Sequence, residues 1–127
     1  MKIFKGSLVY EDYYHLVKNN YIKYEHFANS QIQPSSVDLT LSEECYEISA
    51  SFLSPKKTVT ENISEYRSKK INLSNKFIFE KNKTYLVKLN EYLSLPKNIF
   101  GMCNPKSSTG RLDIFCRTIL DNSDEYE

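Results

Sequence analysis

The densest grouping of reactive side chains is Asn104-Pro105-Lys106-Ser107-Ser108-Thr109-Gly110-Arg111. It places an ammonium, a guanidinium, three hydroxyls and a glycine within eight positions. A turn of this composition can offer hydroxyls and backbone N–H groups to an anion while two cations neutralise it. Lysine acts as a point charge, whereas arginine grips two oxygens with its planar fork. The order GxxxxGK[ST] is missing, so this is not a P-loop. Two readings stay open from the residues alone, a phosphate cradle or a solvated polar turn.

A second grouping is Gln33-Pro34-Ser35-Ser36-Val37-Asp38-Leu39. Asp38 sits in a run where Val37, Leu39 and Leu41 alternate with polar residues, and an unpaired buried carboxylate there is costly. It either faces water or meets a metal or a cation such as Lys106 or Arg111. No Ser/His/Asp order suggests an acyl-transfer triad. His15 and His26 fall in a helix and the linker after it, both read as surface groups. Cys45, Cys103 and Cys116 form no CxxC pair and lie far from both histidines, so no zinc site is expected and reduced buried thiols are.

The elements that must position these groups follow from periodicity. Tyr13, Leu16 and Val17 fall at i, i+3, i+4 in a short helix that Asn19-Asn20 should stop. The segment from Tyr21 to Gln33 is polar and irregular. Alternation then marks strands at Val37–Leu41 and Tyr46–Ala50, separated by a break at Ser42-Glu43-Glu44. A surface excursion is expected from Ser54 to Lys70, and a short strand at Ile71 and Leu73. Phe77 and Phe79 alternate before a turn at Glu80-Lys81-Asn82-Lys83. Tyr85, Val87 and Leu89 make another strand, and Leu95-Pro96-Lys97-Asn98 interrupts it. Ile99–Cys103 reads as a strand, and Leu112–Leu120 as an apolar run. The chain holds three glycines, and each is expected to meet a backbone need.

The 127 residues make room for one domain, 1–127. Net charge is +1, which gives no electrostatic case for binding a nucleic-acid polymer. Mean hydropathy is −0.53, and no apolar run approaches the roughly 20 residues that span a bilayer. A signal peptide is not evident at Met1–Ser7, so a cytoplasmic protein without membrane contact is expected. Ten Tyr and seven Phe supply bulky core material. The pattern as a whole predicts a mainly β barrel or sandwich with a short N-terminal helix.

The two groupings together resemble the dCTP deaminase members of the dCTP deaminase–dUTPase superfamily. The stretches that carry the resemblance are Ile32-Gln33-Pro34-Ser35-Ser36-Val37-Asp38-Leu39, Leu93-Ser94-Leu95-Pro96 and Asn104 through Arg117. The chain looks most like the N-terminal portion of the long bacterial form in which two similar domains share one chain. The resemblance implies a distorted jelly-roll, dUTPase-like β-barrel, trimeric or pseudo-trimeric, with active sites shared between subunits. It implies conversion of dCTP and water to dUTP and ammonia, without zinc and with Mg2+ carried on the nucleotide triphosphate. Carried onto this sequence, Ser107 organises the attacking water and contacts the nucleotide. Lys106 and Ser108 hold phosphate oxygens, and Arg111 orients the pyrimidine site and the catalytic groups.

The sequence also departs from the family. Thr40-Leu41-Ser42 stands where the family has Arg-Leu-Gly, and the general-base Glu with its preceding aromatic-Gly stretch is absent. Glu125 and Glu127 are not assigned that role. The expectation is an incomplete domain, ending before its closing strands and inactive alone. Two alternatives are a dUTP diphosphatase, with Asp38 helping to hold magnesium, and a non-catalytic nucleotide-binding or assembly domain.

Overall fold

The computed structural model describes residues 6–49, 57–66, 68–116 and 119–120. Helix α1 (Tyr10–Lys18) forms where the i, i+3, i+4 stripe predicts it. Glu11 and Asp12 lie in its first turn, where the helix dipole favours acids, and Asp12 Oδ2 accepts from the Val9 N–H at 3.0 Å. Its end is a Schellman turn: Asn20 adopts φ 60°, Asn20 N–H reaches Val17 O at 3.0 Å and Tyr21 N–H reaches Leu16 O at 2.8 Å. Asparagine tolerates this left-handed conformation, which is why Asn19-Asn20 works as a stop.

Among the described residues nine short strands follow, and every pairing between them is antiparallel. β1 (Ile22–Lys23) pairs with β7 (Tyr92–Leu93), placing Ile22 opposite Leu93. β2 (Ile32–Gln33) and β3 (Ser36–Val37) form a hairpin around Pro34-Ser35. β4 (Leu41–Ile48) is the centre of a three-stranded sheet, between β5 (Lys69–Asn72) and β6 (Thr84–Leu89). β8 (Gly101–Met102) pairs with β9 (Ile119–Leu120). The architecture is mainly β with a short N-terminal helix, and no closed barrel forms among the described residues.

The core gathers Leu16 of α1, Ile22 of β1, and Leu93, Leu95 and Ile99 from the β7 region. Tyr13, Val17, Phe27, Val37 and Leu39 pack against it. Each buried aliphatic side chain contributes about 1.5–3 kcal/mol. This cluster fastens α1 and the β2–β3 hairpin to the segment that leads into Lys106. A second centre lies at the three-stranded sheet, where fully buried Cys45 faces Ile71 and Val87 across its two neighbours.

Several sequence expectations need correction. The supposed break at Ser42-Glu43-Glu44 lies inside β4. Glu44 is carried there by the Tyr46 hydroxyl at 2.5 Å and by Lys70 and Lys88 on the flanking strands, at 3.7 and 3.8 Å. Glu43 accepts from the Ser74 hydroxyl. The pairing register shifts between Leu41 and Cys45, and Leu41 is exposed instead of continuing the apolar row. The irregular stretch before Pro34 contains β1 and a 3-10 turn, Asn29–Gln31.

The surface excursion contains α2 (Val59–Glu65), started by a capping box. Glu61 N–H donates to Thr58 Oγ1 at 3.2 Å, and Thr58 N–H donates to Glu61 Oε2 at 2.8 Å. Phe77 and Phe79 are not a strand; with Tyr85 they make an edge-to-face aromatic trio. Of the three thiols only Cys45 is buried; Cys103 is half-buried and Cys116 exposed. The Leu112–Leu120 run is not one strand, because Asp113 turns at φ 56° and leaves Leu112 and Phe115 in solvent. Ala50, Ser54, Arg117, Glu125 and Glu127 lie outside the described residues.

Candidate functional site

The Lys106–Arg111 segment follows β8 after three residues, Cys103-Asn104-Pro105. Pro105 fixes an extended entry, Lys106 keeps φ −59° and ψ 154°, and the chain then closes one helical turn, α3 (Ser107–Gly110). Gly110 N–H bonds Lys106 O at 2.8 Å and Arg111 N–H bonds Ser107 O at 3.1 Å. The N–H groups of Ser107, Ser108 and Thr109 have no backbone acceptor among the described residues. Lys106, Ser107, Ser108 and Arg111 are all exposed. Gly110 meets no special backbone demand: a Cβ added there would stand 3.7 Å from Pro105 Cγ, an ordinary contact. Its expected necessity is thus corrected.

The two groupings read from the sequence meet in space. Lys106 Nζ lies 2.7 Å from Asp38 Oδ2, an ion pair across a sequence separation of 68. Of the cations considered for Asp38, the partner is Lys106. The Asp38 side chain is 26 % exposed and that of Lys106 is 65 %. Gln33 Nε2 also approaches Asp38 Oδ2 at 3.4 Å. The hairpin register, Ile32 opposite Val37 and Gln33 opposite Ser36, sets Asp38 immediately beyond the tight turn. Tyr13 pins that turn to α1 by donating to Ser35 O at 3.3 Å, and burial pushes its hydroxyl pKa upward.

The family model of the 2'-deoxycytidine 5'-triphosphate deaminase N-terminal domain matches residues 4–127. The chain belongs to that family. A crystal structure of 2'-deoxycytidine 5'-triphosphate deaminase from Agrobacterium tumefaciens is similar to it, with TM-score 0.81 and 31% sequence identity. The similarity covers 94% of this chain and 40% of that one, so the chain spans well under half the length of that relative. No curated protein matches it.

Behind the deaminase-family motif lies a polar network that the sequence reading missed. Glu91 is buried at 6 % exposure and accepts three hydrogen bonds. Thr40 N–H donates to Oε2 at 2.9 Å, the Thr40 hydroxyl to Oε1 at 2.9 Å, and Gln31 Nε2 to Oε1 at 3.0 Å. Gln31 in turn clamps the backbone of Asp38 from both sides. Its Nε2 donates to Asp38 O at 2.9 Å, and its carbonyl accepts from Asp38 N–H at 2.8 Å. A signal for Glu91 was present: Tyr85, Val87, Leu89, Glu91, Leu93 and Leu95 form one period-two row, and a carboxylate on the inward side of such a row must be partnered.

The motif lies on open surface. A cleft of about 540 Å³, lined by residues that include Val17, Ile22, Lys23 and Phe27, lies beside the end of α1. Another of about 420 Å³ lies over Glu44, Lys70 and Lys88. Neither is lined by any of residues 106–111. The candidate site is singled out by its cations and hydroxyls and not by cavity volume. Beside it, Phe100, Met102, Leu112 and Phe115 expose large apolar surfaces. No group of three or more metal-ligating side chains forms among the described residues.

Proposed function

We propose that this chain is the triphosphate-binding, N-terminal portion of a dCTP deaminase, acting in pyrimidine deoxynucleotide metabolism in the cytoplasm. The observation that supports this reading is the Lys106–Asp38 contact, which brings the two sequence groupings together in a chain of the deaminase family. Lys106 and the Ser108 hydroxyl bind phosphate oxygens, with Mg2+ arriving on the triphosphate as part of the substrate and no zinc involved. Ser107 positions the water that attacks the cytosine ring, and Arg111 orients the pyrimidine side and stabilises developing charge. Water adds at the ring carbon that bears the amino group, and that group departs as ammonia, leaving dUTP.

Deamination also needs a proton acceptor. Among the described residues no carboxylate hydrogen-bonds the Ser107 hydroxyl, and Asp38 is engaged by Lys106. Our reading is that the chain alone binds nucleotide without turning it over. The exposed Phe100, Met102, Leu112 and Phe115 beside the motif support an oligomer, trimeric or pseudo-trimeric, in which neighbouring surfaces complete each site. In the dUTP diphosphatase alternative, Asp38 would hold magnesium in place of the Lys106 ammonium. A non-catalytic nucleotide-binding or assembly role remains the competing reading.

Titration with dCTP, dUTP and inorganic triphosphate, each with Mg2+, tests the proposal. Preference for dCTP supports it; equal binding of all three favours the non-catalytic nucleotide-binding role, and no binding at all refutes the proposal. Product analysis completes the test, since ammonia release indicates deamination and pyrophosphate release indicates the diphosphatase. Turnover by this chain that Ser107→Ala abolishes would show that it is active without a further base.

A further inference from the structure

Lys106 is mostly solvent-exposed, and a surface ion pair of this kind holds a lysine only weakly unless its partner is rigid. Here the partner is rigid for an identifiable reason. The two N–H bonds of the Gln31 amide point in different directions, one to Asp38 O at 2.9 Å and one to Glu91 Oε1 at 3.0 Å. The backbone carbonyl of Gln31, separately from its side chain, accepts from the Asp38 N–H at 2.8 Å. Glu91 is the fixed end of this chain: it is buried, it is also bonded by the Thr40 N–H and hydroxyl, and it precedes β7 at the edge of the core. Asn90, its neighbour, reinforces the same residue by donating from Nδ2 to Thr40 Oγ1 at 3.0 Å.

We propose that Glu91 is a positioning residue for Lys106, acting through Gln31 and Asp38. It touches no ligand itself. Its carboxylate sets the Gln31 amide, the amide fixes the backbone of Asp38, and the Asp38 carboxylate holds the Lys106 ammonium in the place from which its remaining N–H donors face the anion. The affinity consequence rests on the triphosphate reading above, whereas the ordering of Lys106 does not. Fixing a free lysine costs entropy equivalent to about a fivefold to tenfold loss of affinity, and Asp38 removes that cost in advance.

The test has two arms, both on the full chain. The first follows the Lys106 ammonium by lysine-selective NMR in the wild type and in Glu91→Gln, Gln31→Ala and Asp38→Asn. We expect Lys106 to be motionally restricted in the wild type and as free as exposed lysines in all three variants. Gln31→Ala lies outside the core and keeps the test valid if Glu91→Gln folds poorly. Restriction of Lys106 that survives Gln31→Ala and Glu91→Gln but not Asp38→Asn overturns the proposal.

The second arm titrates Mg–tripolyphosphate into wild type, Glu91→Gln, Lys106→Ala and the double variant. Expected is a fivefold to tenfold loss for Glu91→Gln that vanishes in the Lys106→Ala background. A loss of equal size in both backgrounds would mean that Glu91 merely supports the fold, and overturns the proposal. If the wild type binds no triphosphate, the functional reading fails, and the NMR arm still decides the positioning role.

Discussion

Glu91 provides the sharpest stability test. Replacing it with alanine removes three accepted hydrogen bonds at a site of 6 % exposure. The Thr40 N–H, the Thr40 hydroxyl and one N–H of Gln31 lose their acceptor together. An unsatisfied buried donor costs about 1–3 kcal/mol. Water entering the vacated volume recovers part of this, and Gln31 lies half in solvent, so the expected loss is about 3 kcal/mol in total. Glu91→Gln keeps one acceptor oxygen but turns an NH2 group toward donors, and about half that loss is expected.

The assay is urea unfolding followed by circular dichroism, with the slope checked against wild type so that a midpoint shift reports stability alone. In a thermal scan the alanine variant should melt about 10 °C lower. A Glu91→Ala protein within about 0.5 kcal/mol of wild type would refute the reasoning, because three part-buried donors cannot lose a buried acceptor without cost. Comparable stability for Glu91→Gln would show that the negative charge is not what the network requires.

Other expectations are independent of this network. The Tyr46 hydroxyl, helped by Lys70 and Lys88, holds the Glu44 pKa below its ordinary value, and the hydrogen bond and charge of Lys83, with Lys69, do the same for Glu47. Because both pKa values are lower when folded, their contribution is complete above the unfolded carboxylate range and is lost as pH falls through the folded values; melting temperatures measured from roughly pH 6 to 2.5 should decline only in the acid part. Thiol labelling should modify exposed Cys116 first and half-buried Cys103 more slowly, while Cys45, whose thiol pKa burial pushes up, reacts only on unfolding. Fast reaction of Cys45 in the folded protein would contradict its placement at the centre of the sheet. Gly110→Ala should fold normally and gain up to about 1 kcal/mol in the same urea assay, since the site is helical and the new methyl meets only Pro105.

Local pattern carried the fold where one element satisfied its own demands. The i, i+3, i+4 stripe located α1, and Asn19-Asn20 marked its stop because asparagine supplies the left-handed turn there. The period-two row of Tyr85, Val87 and Leu89 located β6. Failure came where long-range partners decided the outcome. Ser42-Glu43-Glu44 looks like a break until lysines on β5 and β6 arrive to neutralise Glu44. Ile22 has little apolar company in sequence and is buried because Leu93 lies opposite it and Leu16, Leu95 and Ile99 complete the cluster. Helix α2 escaped notice for a different reason: it has almost no apolar stripe, yet Thr58-Val59-Thr60-Glu61 is a capping-box signature that local reading could have used.

The site divides the same way. Lys106, Ser107, Ser108 and Arg111 were legible as a cluster of cations and hydroxyls, and Asp38 as a carboxylate that needed a partner. That its partner is Lys106 emerged only from the fold, as did the support from Gln31, Thr40 and Glu91. Dependence on such distant contacts is why spacing alone could not separate a phosphate cradle from a solvated turn.

The most direct measurement is a backbone amide NMR titration of this chain with Mg–dCTP. If residues 106–111 receive the triphosphate, their amides shift first and furthest, Asp38 moves with them, and Lys106→Ala suppresses the whole pattern. Shifts confined to the Val17–Phe27 cleft, or a spectrum unchanged at millimolar nucleotide, would contradict that assignment.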